Sequence, residues 1–287
     1  CLRLGISIEA QSRGNMLQFK TEKLTDRVTR IYGFCGELMY LVEGKEKAAL
    51  LDTGPGIGSL KACVQKLTDK PVMVLLTHGH VDHAMGAPEF EEVYMNHKDD
   101  YIYNEHCSLE FRKAGLEGTP LEQEVTAADF IPEAPCGTFR DLKGGDAFDL
   151  GGTTIEIYNC TGHTLGSVVM LIPEERSVLL GDACNYFTFM FDDYSTTISE
   201  YEESLKRLSG ELAGKFDTVY LSHGDGNGHK EIMEDVIAVC EDIKAGNTDD
   251  IPFSFMGKRA LVAKAVTPQM GRRDGGRGNI VYSKDRI

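Results

Sequence analysis

The chain has 287 residues and is 41% hydrophobic, which is enough to bury a core in one large domain or two small ones. Its 45 Asp and Glu residues outnumber 30 Lys and Arg residues, and the net charge of −15 argues against long nucleic acid as a partner. No apolar run approaches the roughly 20 residues of a membrane span, and eight scattered cysteines without a C-x-x-C pair indicate reduced thiols in a cytoplasmic protein.

The first part of the chain is predicted to be a run of strands. Residues 1–15 show no such pattern, and we predict a disordered or non-native extension there. Short β-rich runs between glycine-containing turns predict four strands, at residues 28–34, 38–43, 47–52 and 72–76. The last of these is almost uninterruptedly apolar, which is typical of a strand buried on both faces. Residues 60–67 have the apolar spacing of a helix.

Residues 97–131 are polar and helical in pattern, and we interpret them as an insertion that covers a site like a lid. The pattern of strands then returns, at residues 153–158, 168–172, 177–180 and 218–221. Ser199 followed by Glu202 is a capping-box pattern that predicts a helix through about Leu208.

A second helix is predicted at residues 230–244, and the basic, glycine-rich tail 251–287 contains a predicted edge strand at 279–282. Strands in two groups with helices between them predict an α/β fold in which two mixed sheets pack together under flanking helices. We assign residues 16–250 to this domain.

Four potential metal ligands follow the strand that ends near Thr77. They are His78, His80, Asp82 and His83. Residues two apart in an extended segment share a side, so the first two can meet one metal ion, and a turn then directs the other two towards a second ion. Imidazole and carboxylate together suit zinc, and also iron or manganese.

Three more potential ligands stand where later strands end. His163 follows the strand at 153–158, Asp182 follows the strand at 177–180, and His223 follows the strand at 218–221. Four such segments in one chain indicate a metal site, because sites on such sheets are built where strands end.

These motifs, from Asp52-Thr53-Gly54 to Ser222-His223-Gly224, resemble those of the metallo-β-lactamase superfamily. The resemblance implies an αββα sandwich with two metal ions at one edge. It implies that His78, His80 and His163 hold the first ion, that Asp82, His83 and His223 hold the second, and that Asp182 bridges them. Asp52 resembles the superfamily's first motif, a carboxylate that orients the ligands.

The implied chemistry is hydrolysis, in which a hydroxide shared by two zinc ions attacks a carbonyl carbon or a phosphorus. The bridging Asp182 resembles glyoxalase II, lactonases and phosphodiesterases, whereas true β-lactamases lack it. We therefore expect cleavage of a small-molecule ester, thioester or lactone. A phosphodiesterase acting on a small nucleotide is the alternative, and a mononuclear-iron sulfur dioxygenase is a third interpretation.

Other residues carry weaker signals. Tyr186 and Tyr194 belong to a cluster of aromatic residues directly after Asp182, and either hydroxyl is a candidate donor to a developing oxyanion. These aromatic residues and the insertion at 97–131 are expected to form the walls of a substrate pocket. The remaining histidines are interpreted as surface or capping residues, namely His97, His106 and His229.

Overall fold

Short apolar strands and amphipathic helices alternate along residues 17–287, the part of the chain that the computed structural model describes. The predicted extension at 1–15 lies outside the described residues. The strands are β1 (Lys20–Lys23), β2 (Val28–Tyr32), β3 (Leu38–Glu43), β4 (Ala48–Leu51), β5 (Val72–Leu75), β6 (Val93–Met95), β7 (Arg140–Asp141), β8 (Ala147–Asp149), β9 (Thr154–Asn159), β10 (Val168–Ile172), β11 (Ser177–Leu179), β12 (Thr188–Met190), β13 (Thr218–Tyr220), β14 (Asn227–Gly228), β15 (Ile251–Phe255), β16 (Lys258–Val262) and β17 (Ile280–Tyr282).

The helices are α1 (Leu60–Leu67), α2 (Val81–Ala84), α3 (Asp100–His106), α4 (Leu109–Ala114), α5 (Leu121–Glu124), α6 (Ile198–Leu212) and α7 (Ile232–Ala245). All the strands and helices predicted from the sequence are present, most of them with ends shifted by one or two residues. The chain divides into two compact units, one formed by residues up to Leu142 with Asp149–Thr154, and the other by Lys143–Phe148 with Ile155–Ile287.

The first unit is built on a seven-stranded sheet in the order β1-β2-β3-β4-β5-β6-β7. β1 to β4 pair in antiparallel fashion, and β4 to β7 pair in parallel. Leu51 of β4 lies opposite Leu75 of β5. Because parallel neighbours end at the same edge of a sheet, Asp52 and Thr77 emerge side by side from these two strands.

The second unit contains a six-stranded sheet in the order β14-β13-β11-β10-β9-β8. β11 and β13 are parallel, with Leu179 opposite Tyr220, and β10 is antiparallel to β11. The carboxyl ends of β11 and β13 and the start of β10 therefore lie at the same edge of the sheet. This register brings Asp182, His223 and the loop that carries His163 to one edge of the sheet.

A second sheet of this unit has the order β12-β17-β16-β15. The strand predicted in the tail is present as β17, but the prediction that it is an edge strand is wrong. β17 pairs with β12 on one side and with β16 on the other. Its three residues are all buried, since a central strand is covered on both sides. The tail is thus part of the second unit's core.

Helix α6 is present as predicted, but the predicted capping box at its start is wrong. Its buried residues recur at helical spacing and pack into the core beneath the six-stranded sheet; they include Ile198, Tyr201, Leu205, Leu208 and Leu212. The capping box, however, is formed by Thr197 and Glu200, not by Ser199 and Glu202. Ser199 lies inside the helix, because the chain turns into α6 two residues earlier than the pattern indicated.

We expect Thr197→Ala to lower the free energy of unfolding by about 1 kcal/mol, because it removes the side chain that accepts the Glu200 N–H at the start of α6. Ser199→Ala is the matched control and should change stability by less than about 0.5 kcal/mol. Chemical denaturation of both variants measures the difference, and equal losses would show that Thr197 does not act as the cap.

Within residues 17–287, every helix is too short or too polar to cross a lipid bilayer.

Candidate functional site

Asp52 is the centre of the hydrogen-bond network at the edge of the first unit's sheet. Its Oδ1 accepts the backbone N–H of Thr77 at 2.7 Å, and its Oδ2 accepts the Thr77 hydroxyl at 2.7 Å. The same Oδ2 lies 2.9 Å from Nδ1 of His83. Asp52 is buried, and its φ of 62° lies in the left-handed region that Asp tolerates better than most residues. A buried carboxylate requires donors, and these three provide them.

This network fixes which nitrogen of each imidazole carries the proton. His83 donates Nδ1–H to Asp52, so its Nε2 offers a lone pair. The Thr77 hydroxyl gives its proton to Asp52 and therefore accepts Nδ1–H of His78 at 3.0 Å. Nε2 of His78 then points a lone pair at Nδ1 of His80, 3.1 Å away. Two nitrogens at that distance need a proton or a cation between them, which fits a metal-binding role.

Asp82 is the third of the four predicted ligands of this segment, and its position agrees with a metal-binding role. Its Oδ1 lies 3.7 Å from Nε2 of His83, and its side chain is 36% exposed. Helix α2 begins at Val81 and turns the chain directly after His80. The turn separates the extended pair His78 and His80 from the helical pair Asp82 and His83.

Two residues outside the predicted set of ligands hold the backbone between these ligands. Asp99 is fully buried, and its Oδ2 accepts the N–H of Gly79 at 3.0 Å. A Cβ at Gly79 would lie 2.9 Å from the carbonyl oxygen of Asp99, so only glycine permits this approach. Nδ1 of His106 accepts the N–H of Val81 at 3.2 Å.

Of the two alternatives for His106, a surface or a capping residue, the surface one is wrong. It is only 6% exposed, and its ring stacks on His80 at 5.4 Å and on Phe111 at 4.1 Å. His97, in contrast, is exposed and pairs with Asp100. The segment predicted as an insertion therefore supplies side chains that brace the ligand loop of its own unit. Sequence periodicity gave no signal for this, because the contacts join residues 20 and 25 positions apart.

In the second unit, one carboxylate faces two histidines. Oδ2 of Asp182 lies 3.2 Å from Nε2 of His223 and 3.9 Å from Nε2 of His163. Nδ1 of His163 lies 2.7 Å from the carbonyl oxygen of Phe189, which only accepts, so Nδ1 carries the proton and Nε2 the lone pair. Oδ1 of Asp182 accepts the side-chain amide of Asn185 at 3.4 Å. The carboxylate and both imidazoles are thus oriented as metal ligands are.

Tyr201 of α6 supports two of these ligand segments. Its hydroxyl donates to the carbonyl oxygen of Ala183 at 2.6 Å, next to Asp182. Its ring lies so close to Gly162 that a Cβ there would be 2.2 Å from a ring carbon. Gly162 is therefore required beside His163 for the loop to rest on the helix. Cys184 is fully buried, and burial raises the pKa of its thiol well above the ordinary value, so it stays a neutral packing residue.

The aromatic residues after Asp182 divide into two groups. Phe189 and Phe191 pack with Phe253 and Phe255 of β15 and form part of the core of the four-stranded sheet. Tyr186 is 40% exposed, and its hydroxyl contacts His229. The ring of Tyr194 lies under the ammonium group of Lys258, 5.6 Å from it. The candidate oxyanion role of either hydroxyl stays a prediction.

Each unit by itself therefore presents His and Asp side chains that belong to groups able to hold a metal ion. A sequence model of the Metallo-beta-lactamase superfamily matches residues 32–223, a range that includes all seven predicted ligands. The chain belongs to this superfamily. The resemblance drawn from the His78-x-His80-x-Asp82-His83 motif is confirmed.

Curated proteins similar to the chain include a hydrolase and a thioesterase. A hydroxyacylglutathione hydrolase of Hyphomonas neptunium is 28% identical over 171 residues, which are 59% of this chain and 56% of that protein. An acyl-coenzyme A thioesterase of Homo sapiens is 26% identical over 188 residues, 59% of this chain and 66% of that protein. The chain spans little more than half the length of the first curated relatives that it matches.

A solved structure supports the fold. A metallo-β-lactamase from Pontibacter korlensis superposes with a TM-score of 0.55 at 18% identity, covering 78% of this chain and 100% of that one. At this identity the likeness concerns the fold alone. Together with the mixed sheets and helices described above, it confirms the predicted α/β fold of the αββα class.

The hydrogen bonds of Asp52 predict the outcome of its replacement. Asp52→Asn keeps the shape and tolerates a positive φ, but it places an amide where His83 and Thr77 both donate to Oδ2. We expect metal affinity to fall by about 10–100-fold, because His83 loses its orienting partner. Competition with a chromophoric chelator measures this, and an unchanged affinity would contradict the orienting role. Asp52→Ala adds backbone strain, so the asparagine variant is the cleaner test.

Proposed function

We propose that the chain is a metal-dependent hydrolase of a small-molecule ester, thioester or lactone. In this proposal His78, His80 and His163 bind one metal ion, Asp82, His83 and His223 bind the second, and Asp182 bridges the two. Zinc is the expected metal, and iron or manganese would suit the same nitrogen and oxygen ligands.

The observation that carries the proposal is the position of Asp182. A carboxylate oxygen that faces Nε2 atoms of two histidines has the donor arrangement of a ligand shared between metal ions. The proton positions of His83 and His163 support it, because each imidazole donates Nδ1–H to a protein acceptor and keeps Nε2 for a metal. When bound, such metal ions supply an activated water and polarise the oxygen that gains charge.

The residues of the chain have three tasks in this scheme. The histidines and Asp82 hold the ions at fixed positions. Asp52, Asp99 and His106 hold the first ligand loop, and Tyr201 holds the segments of the second unit. Preorganisation of this kind keeps the reacting groups aligned and reduces the reorganisation that the reaction requires.

The choice of substrate class rests on the relatives and on charge. The names of two relatives denote hydrolysis of a hydroxyacylglutathione and of an acyl-coenzyme A thioester. A protein with a net charge of −15 disfavours a polyanionic substrate at long range. The relatives favour an acyl substrate over a phosphodiester, and the net charge favours an acyl substrate of low charge over a polyanionic one.

A substrate panel tests this ranking. The panel comprises a 4-nitrophenyl ester, an acyl thioester, a lactone and bis(4-nitrophenyl) phosphate, each assayed with metal-loaded protein. We expect kcat/KM for the best acyl substrate to exceed that for the phosphodiester by at least about tenfold, or about 1.4 kcal/mol of transition-state stabilisation. Preference for the phosphodiester would instead establish the alternative function. One iron per chain with oxygen consumption on a persulfide would establish a sulfur dioxygenase.

A further inference from the structure

A hydrogen-bonded triad lies in the second unit, outside the predicted metal ligands. It consists of Tyr186, His229 and Asp235. The Tyr186 hydroxyl oxygen lies 3.1 Å from the backbone nitrogen of His229 and 3.0 Å from its Nδ1. Nε2 of His229 pairs with Oδ2 of Asp235, and Nε of Arg277 lies 3.6 Å from the same oxygen. The Tyr186 and His229 rings stack with centroids 5.4 Å apart.

The order of these contacts determines where protons can reside. The Asp235 carboxylate only accepts, so Nε2 of His229 carries a proton. When His229 is also protonated on Nδ1, the phenol oxygen accepts two N–H groups, one from the backbone and one from the ring. Both lone pairs are then used, and the phenolic O–H is directed away from His229. When Nδ1 is deprotonated, the phenol turns its proton towards the ring. His229 and Asp235 therefore control whether Tyr186 can donate a proton outward.

The triad is joined to the segment that carries Asp182. Tyr186 is four residues beyond Asp182, and the intervening Asn185 donates its side-chain amide to Asp182 Oδ1 at 3.4 Å. His229 is six residues beyond His223, on the chain that continues from β13. Tyr186 as a whole residue is 40% exposed, whereas the side chain of His229 is 15% exposed. The phenol is thus the accessible end of the triad, and the histidine and carboxylate lie behind it.

We propose that Tyr186 is the acid that protonates the leaving group, and that His229 and Asp235 are positioning residues that resupply its proton. This inference rests on the proposed hydrolase function. Water adds to the acyl carbon and loses one proton to solvent, the bond from carbon to the leaving oxygen breaks, and that oxygen takes the phenolic proton. Tyr186 regains a proton from Nδ1 of His229, which becomes neutral and is reprotonated by solvent. No net charge or electron is gained, and the products are an acid and an alcohol.

This role makes a prediction that a structural role does not. A poor leaving group such as an alkoxide needs a proton as its bond breaks, whereas 4-nitrophenolate leaves without one. General acid catalysis contributes about 10²–10⁴-fold in rate. Loss of the triad should therefore slow an alkyl ester by that range and a 4-nitrophenyl ester of the same acyl group far less. If the variants only loosened the packing around Tyr186, hydrolysis of both esters would slow equally.

The experiment compares kcat for an ethyl ester and a 4-nitrophenyl ester in the metal-loaded wild type and in Tyr186→Phe, His229→Gln and Asp235→Asn. We expect each variant to lose at least about 100-fold on the ethyl ester and less than about threefold on the activated ester. His97→Gln is the matched control, since His97 also pairs with a carboxylate but lies in the other unit. Metal content is measured for every variant.

Each outcome decides the question. Equal losses on the two esters, or no loss on either, overturn the relay and leave the hydrolase proposal standing. A wild type inactive on both esters and on the rest of the acyl panel overturns the hydrolase proposal and the relay with it. Loss of metal in a variant would show that the triad supports ligand geometry instead. A selective loss in Tyr186→Phe alone would retain the phenol as acid and remove His229 and Asp235 from the relay.

Discussion

Asp182→Ala is expected to abolish detectable hydrolysis while the protein remains folded. The variant removes a carboxylate oxygen that faces both His163 and His223. In the proposed centre this oxygen is shared between two cations, and its loss leaves them without their common ligand. Metal ions contribute several kcal/mol to transition-state stabilisation, and about 4 kcal/mol corresponds to about 10³-fold in rate. We therefore expect kcat/KM to fall by at least that factor.

The fold should tolerate this change because the core of the second unit does not depend on the carboxylate. Asp182 follows β11, whose three residues are buried, and Tyr201 holds the adjacent Ala183 through its backbone. Circular dichroism and the denaturation midpoint should therefore stay close to wild type. Asp193→Ala is a matched control, since Asp193 lies in the same unit with its side chain 85% exposed.

The two Asp182 variants and the control separate the possible roles. Asp182→Asn keeps the shape but removes the charge, and we expect it to lose activity almost as fully as alanine does. Insoluble or unfolded Asp182→Ala protein would mean that the metals are chiefly structural. Retained activity in either variant would contradict the assignment of Asp182 as a shared ligand.

Removal of the metal ions is expected to have the second large effect. Dialysis against a strong chelator should reduce hydrolysis to background, and added zinc should restore it. Without the ions, the scheme lacks both the activated water and the group that polarises the acyl oxygen. Elemental analysis of the loaded protein should give two ions per chain, because seven ligands of suitable type are present in the matched range.

Stability should follow metal occupancy as well. A ligand that binds only the folded state stabilises it by about 2.7 kcal/mol at 100 times its dissociation constant. The thermal midpoint should therefore rise when zinc is added to the chelated protein. One tightly bound ion per fully loaded chain would contradict the binuclear proposal, and full activity after complete metal removal would contradict the metal-dependent one.

The local pattern of the sequence determined a large part of this structure. The apolar run before Thr77 predicted β5, because a short uninterrupted run of hydrophobic residues is typical of a strand buried on both faces. The helix α1 and the strands β3 and β10 begin and end at the predicted residues. The His and Asp residues at the strand ends predicted the family, since metal ligands need particular side chains at fixed spacing and both are written in the chain.

Short or charged strands escaped prediction. β6 and β7 have three and two residues, and β7 is exposed. Such segments become strands because a neighbour offers hydrogen bonds, and the identity of the neighbour is not a local property. For the same reason β17 was expected at an edge and lies between β12 and β16.

Only the tertiary structure determined which polar side chains contact one another. Ser199 and Thr197 both begin a capping-box pattern, and the point at which the chain enters α6 selects Thr197. No repeating pattern in the sequence marks His106 or His229 as part of a site. In the structure, His106 stacks on His80, and His229 connects Tyr186 with Asp235. These contacts depend on the orientation of each side chain, which the register of the sheets and the packing of the helices determine. The sequence therefore determined which residue types are predicted to bind metal and which segments carry them. The tertiary structure determined which other side chains contact those residues and orient them.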